Sequence, residues 1–139
     1  MKNEIIEKKL EQTKLLLKEL KGLLVKPFSL QGFGMIIIRA AERDFQLIVD
    51  TASDINMVII QDKTGKIPEN YHQAFADLEK LGIFDDSVLR QLIQASRLRN
   101  ILVHDYDFEE DFKRFYSSAK FILPAFEQYI KTIIKYINK

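Results

Sequence analysis

From Leu30 to about Gln61 the chain runs without a proline, while apolar side chains recur at Phe33, Ile36, Ile37, Ala41, Phe45, Ile48, Ala52, Ile55 and Ile59 among others. Spacings of three and four predict a helix, whereas a half-buried strand would alternate. Its second half is apolar over more than half of its circumference, so it has to be covered by several neighbours, a second subunit among the possible ones. A chain of 139 residues that spends this much length on one buried helix must wrap the remainder around it.

The remainder is suited to that. Residues 4 to 24 place Ile5, Ile6, Leu10, Leu16, Leu17, Leu20, Leu23 and Leu24 at helical intervals, with lysine and glutamate between them. Pro27 ends this first helix near Lys26, because a residue before proline is pushed out of the α region, and the hydroxyl of Ser29 is placed to cap the long helix. Asp62 to Pro68 is the clearest loop. Asn70 then caps a short third helix carrying Ala74, Phe75, Leu78 and Leu81, which Gly82 stops in a left-handed position. Asp85 or Asp86 caps a fourth, with Val88, Leu89, Leu92, Ile93, Ala95 and Leu98 as its stripe. The acidic run Asp107, Glu109, Glu110 and Asp111 suits the positive end of a fifth, in which Pro124 predicts a kink or a division. No convincing strand pair appears, so the expected class is all-α: one domain, an up-and-down bundle of about five helices, with a helix in 1–26 and the bundle proper in 29–139.

The polar outlier in this pattern is Arg99-Asn100-Ile101-Leu102-Val103-His104-Asp105-Tyr106. Three consecutive aliphatics point in different directions on a helix and must be covered nearly all round, so the polar residues flanking them are not plain surface. Asn100 and His104, four apart, share a face. Arg99 and His104, five apart, diverge by roughly 140° on a straight helix. They meet if the helix loosens before His104, or if each converges with its equivalent from a second chain about a two-fold axis. Arginine supplies a permanent cation with planar donors for phosphate oxygens, and histidine moves protons near neutral pH. Together they suffice for cleavage of RNA without a metal, histidine handling a proton of the 2′-hydroxyl or the leaving oxygen and arginine the phosphate charge. The plainer alternative pairs Arg99 with a carboxylate, sets His104 against a helix dipole and packs Tyr106.

Arg99, four residues, then His104-Asp105-Tyr106 resembles the Arg-x4-His-x-Tyr signature of HEPN-domain proteins of the HepT type, and Asn100 fits the common choice after the arginine. The resemblance extends to Arg39-Ala40-Ala41-Glu42-Arg43, Asp54-Ile55, Pro68-Glu69-Asn70-Tyr71 and Leu81-Gly82-Ile83, covering roughly residues 30 to 135. It implies a homodimeric ribonuclease toxin of a two-gene, type VII-like toxin–antitoxin pair, with a composite site at the dimer interface. It also implies a minimal nucleotidyltransferase antitoxin that transfers AMP from ATP to the motif tyrosine. Carried onto this sequence, Arg99 and His104 are catalytic, Asn100 supports them and Tyr106 is the modification site. A non-catalytic HEPN nucleotide-binding or protein-interaction module is the alternative implied by the same scaffold.

Composition sets limits around that reading. A net charge of +1 means that any contact with nucleic acid is local, since binding by many phosphate contacts shows a basic excess. The absence of cysteine excludes disulfides and thiolate metal sites, and two histidines leave little for a histidine-rich one. Glu109, Glu110 and Asp111 are explained by a helix dipole, so no metal and no cofactor are assigned. Apolar runs such as Met35–Ile38 and Met57–Ile60 are too short to cross a bilayer, which makes a cytoplasmic protein without membrane contact the expectation. Asp54, an acid in an apolar part of the long helix, either orients Arg99 or lines the site, or else sits exposed or paired with a lysine. Arg39 and Arg43, one turn apart, contact RNA or the antitoxin, or form a solvated face.

Overall fold

A computed structural model describes residues 2–104 and 109–138; for residues 2, 71–72, 103–104 and 109–110 it describes the backbone alone. Five helices follow one another: α1 (Lys2–Leu24), α2 (Gly34–Thr64), α3 (Tyr71–Lys80), α4 (Asp86–His104) and α5 (Glu109–Ile137). No strand occurs among the described residues, as the period-3.6 patterning requires.

The long helix α2 is the axis of the bundle. It spans 31 residues, roughly 46 Å at the α-helical rise, and packs against all four of the others. Ile38, Ala41, Phe45, Ile48, Ala52, Ile55 and Ile59 are buried along it. Phe45 takes the edges of Phe115 and Phe126 from α5 at ring separations of 5.6 and 5.7 Å. On the far side of the bundle centre the Tyr129 ring stacks on Phe84 at 5.3 Å. The Tyr129 hydroxyl donates toward the Ala52 carbonyl at 3.0 Å and to Asn56 Oδ1 at 2.6 Å, and burial holds this phenol well above its ordinary pKa.

α2 begins later than the sequence indicates. Ser29 does not cap it; its Oγ accepts from the Gln31 amide in a turn, and Phe33 occupies the N-cap position without a side-chain bond. The chain instead crosses itself closely. A Cβ on Gly34 would collide with the Ser29 carbonyl, so the first residue of α2 must be the one without a side chain. Phe33 and Ile36 consequently stay outside the core, 79% and 64% exposed.

The other boundaries follow local chemistry. Asn70 Oδ1 accepts from the Gln73 amide at 2.8 Å, and Gly65 and Gly82 take left-handed φ values of 74° and 68°. The Asp85 carbonyl accepts the first backbone bond of α4, from Leu89. Pro124 does not divide α5, which continues through it to Ile137.

α1 lies along α2 and also touches α5, burying Ile6, Leu10, Leu17, Leu20 and Leu24. Ile5 is half exposed, because only one of two adjacent isoleucines can face the seam. Polar groups are set into this seam: Thr13 and Thr51 share a buried hydroxyl bond of 2.8 Å, and the buried Asp44 of α2 has Glu19 of α1 as a neighbour. Burial raises the Asp44 carboxyl to about 7, and the neighbouring Glu19 adds to the rise by hydrogen bond and by repulsion.

Candidate active site

α4 crosses α2 and lies against α5. Its inward stripe of Leu89, Leu92 and Ala95 is buried, which fixes the rotation of the helix and turns Arg99 toward α2. There the Arg99 Nε–H donates to Asp50 Oδ1 at 3.1 Å. The two side chains are 22% and 29% exposed, so the ion pair sits at the edge of the bundle, partly shielded from water yet reachable. Asn100, exposed, receives a longer bond of 3.4 Å from Arg99 Nη1 to its Oδ1.

Among the described contacts, the carboxylate on Arg99 is that of Asp50. Asp54, one turn further along the same face of α2, is joined by Lys9 of α1 at 3.0 Å. Sequence spacing could not separate these two acids, since both present to the same side of α2. The orienting bond expected of Asp54 is supplied by its neighbour, and its lysine-paired alternative is what the described contacts contain.

The backbone of α4 remains helical through His104. The helix does not loosen between Arg99 and His104, so the two positions keep the roughly 140° that separates them around the helix axis. Of the two ways in which these residues could meet, an early helix ending is thereby removed. The side chain of His104 and the whole of Tyr106 lie outside the described residues, and so do the roles expected of them.

Between about 100° and 160° around α4 from Arg99, Gln94, Leu98 and Ile101 face Arg114, Ser117, Ser118, Phe121 and Ile122 of α5 across a cavity of about 420 Å³. Ile101 is 48% exposed and Phe121 68%. Arg97 is exposed on the same segment of α4. Arg39 is occupied elsewhere: its Nη1 pairs with the buried Glu42 at 2.9 Å and its guanidinium lies over the Phe112 ring at 4.9 Å. The side chain is nonetheless 58% exposed, so these contacts lie at the surface. Among the described residues no helix is long and apolar enough to cross a membrane.

Comparisons with known proteins agree with this architecture. A tRNA nuclease HepT from Aphanizomenon flos-aquae is 36% identical over 97 residues, a stretch that covers 69% of this chain and 65% of that protein. The chain thus spans slightly less than two thirds of this curated relative. Among solved structures, the tri-AMPylated HEPN toxin of Shewanella oneidensis, in complex with an MNT antitoxin, superimposes with a TM-score of 0.82 at 23% identity, over 94% of this chain and 97% of that one. A mutant MntA–HpeT toxin–antitoxin crystal structure gives 0.80 at 21% identity, over 95% and 98%. At such identities the superpositions speak for the fold. The model of the ribonuclease HepT-like family matches residues 6–133, nearly the whole of the five-helix bundle with Arg99 and His104 inside it, and the chain belongs to that family.

Proposed function

We propose that the protein is a metal-independent endoribonuclease, the toxin of a toxin–antitoxin pair, acting in the cytoplasm through Arg99 and His104 at a homodimer interface. The observation that carries this reading is the family match over residues 6–133, combined with a guanidinium held partly exposed on α4. In the cleavage, His104 removes the proton of a 2′-hydroxyl as the 2′-oxygen bonds to phosphorus. The P–O5′ bond breaks and the 5′-oxygen takes a proton from water, while His104 returns the proton it took to solvent, leaving a 2′,3′-cyclic phosphate and a 5′-hydroxyl. Arg99 stabilises the charge that accumulates on the equatorial oxygens of the phosphate. Asn100 steadies the guanidinium, and Asp54, tied to Lys9, lines the flank.

Two supports favour a dimer. The helical course of α4 keeps the Arg99 and His104 positions of one chain apart around its axis, and the exposed Ile101 and Phe121 on another face of α4 and on α5 form the kind of apolar patch that a second copy covers. Near-neutral charge is compatible with RNA in such an assembly, because Arg97 and Arg99 from two chains make a local basic cleft. Control comes from a minimal nucleotidyltransferase that adenylylates Tyr106, in keeping with the AMPylated toxin–antitoxin complex that shares this fold.

The test is RNA cleavage and growth arrest by wild type, Arg99→Ala and His104→Ala. Each variant is expected to lose cleavage by at least about 1,000-fold, since each removes one of the two groups doing the chemistry. Mixed and reassociated, the two inactive variants are expected to regain activity if Arg99 of one chain works with His104 of the other. A His104→Ala protein that still cut RNA and still arrested growth would end this reading.

A further inference from the structure

The ion pair on Arg99 carries a consequence for how the site presents its cation. We infer that Asp50 is a positioning residue for RNA cleavage: its carboxylate holds the Nε edge of Arg99 so that the Nη1–Nη2 end of the guanidinium meets the scissile phosphate. The inference rests on the ribonuclease reading above and adds a residue and a role to it.

Three features of the geometry converge on this. First, a guanidinium can grip an oxyanion along its Nε–Nη side or at its Nη1–Nη2 end. Asp50 Oδ1 takes the Nε–H at 3.1 Å and so commits the side edge to the protein. Second, the holder comes from a different element. Asp50 stands on α2, which packs against every other helix, between the buried Val49 and Thr51, whereas Arg99 stands in the last two turns of α4. A long, four-torsion side chain is thereby tied to the rigid axis of the bundle, and its rotamer freedom is removed before substrate arrives. Third, Asn100 Oδ1 lies 3.4 Å from Nη1 and sets the rotation of the same plane from the solvent side. Neither Lys9 nor Asp54 can substitute, because they are joined to each other at 3.0 Å.

The pairing also shapes the substrate's energetics. Asp50 offsets part of the long-range field of Arg99, so the pairing itself adds nothing to encounter with RNA. What it retains is a short-range, oriented set of donors that acts most strongly where charge builds up in the transition state. A positioning residue of this kind affects turnover more than substrate affinity.

The experiment compares wild type, Arg99→Ala, Asp50→Ala, Asp50→Asn, Asp50→Leu and the Arg99→Ala/Asp50→Ala double variant on one RNA, with kcat and KM measured separately. Asn keeps the shape and an acceptor oxygen; Leu keeps a similar volume without the acceptor, which protects the comparison if alanine disturbs folding. Asp50→Ala and Asp50→Leu are expected to lower kcat about 100-fold, the effect of letting a catalytic group wander by an ångström, with KM moving less than about threefold. Asp50→Asn is expected to recover most of kcat, and the double variant to match Arg99→Ala alone, because residues acting through one group are not additive. An Asp50→Leu protein as active as Asp50→Asn, or losses that multiply in the double variant, overturns the inference while leaving the ribonuclease reading in place. A wild type or an Arg99→Ala protein showing no Arg99-dependent cleavage overturns both.

Discussion

Replacing Asp44 by asparagine should make the protein more stable at neutral and alkaline pH and leave it little changed in acid. Asp44 is 5% exposed, its Oδ2 has no hydrogen-bond partner, and its carboxyl is raised from 3.8 to about 7 by burial first and by Glu19 second. The unfolded chain thus releases this proton near pH 4, while the folded chain keeps it until about pH 7. Between those values the native state binds more protons than the unfolded one, so stability falls as pH rises. Below about pH 4 the group is neutral in both states and the cost vanishes; above about pH 7 the cost is complete and constant.

A rise of roughly three units corresponds to about 4 kcal/mol at about 1.36 kcal/mol each. The share due to Glu19 is smaller in practice, because that carboxylate is exposed and screened by salt. About 2 kcal/mol is the reasonable working figure, equivalent to about 6–8 °C in Tm for a domain of this size. Asparagine carries no charge at any pH and its amide can donate to Glu19 as the protonated acid does. Thermal melts of wild type and Asp44→Asn from pH 4.5 to 8.5 should therefore diverge with rising pH and run parallel above about pH 7.5. Taking the difference between the two proteins removes whatever pH dependence they share. A gap that stays constant across the range, or widens toward acid, would refute the reasoning.

Two further expectations concern packing and assembly. Gly34→Ala should destabilise the protein by about 1–3 kcal/mol, because the added methyl meets the Ser29 carbonyl and the turn into α2 must shift; urea unfolding that leaves the midpoint unchanged would remove the close crossing from the account. Ile101→Ser combined with Phe121→Ser should leave the monomer's stability within about 0.5 kcal/mol, both side chains being exposed in the single chain. The same pair should shift the mass measured by light scattering from dimer toward monomer and reduce RNA cleavage with it, and an unaltered dimer mass would place the interface elsewhere.

Much of the fold was legible in the sequence because helices declare themselves locally. The period of the apolar residues, Asn70 as a cap and Gly82 as a stop are properties of a few neighbouring residues, and each appears in the structure as read. The start of α2 was not, since it depends on Gly34 passing close to Ser29, a contact between chain segments that no periodicity records. Ser29 looked like a cap by composition and formed a turn instead. Pro124 illustrates the opposite case: a residue that breaks isolated helices is carried inside α5, where tertiary packing of Ile122, Ala125 and Phe126 outweighs the lost backbone bond.

The site divides in the same manner. Arg99, Asn100 and His104 stand out as candidates from their order along the chain, because the motif is contiguous and its chemistry is carried by residue type. The acid that pairs with Arg99 is not contiguous. Asp50 and Asp54 stand one turn apart on α2 and differ by nothing that sequence expresses. What separates them is where α1 and α4 cross that helix: Lys9 arrives at one turn and Arg99 at the other. A crossing point is the outcome of packing along the whole of each helix, from Ile6 to Leu24 on α1 and from Leu89 to Ala95 on α4. The buried stripes thus decide which carboxylate receives the arginine. A substitution that rotated α4 by a fraction of a turn would part Arg99 from Asp50 without touching any residue of the motif.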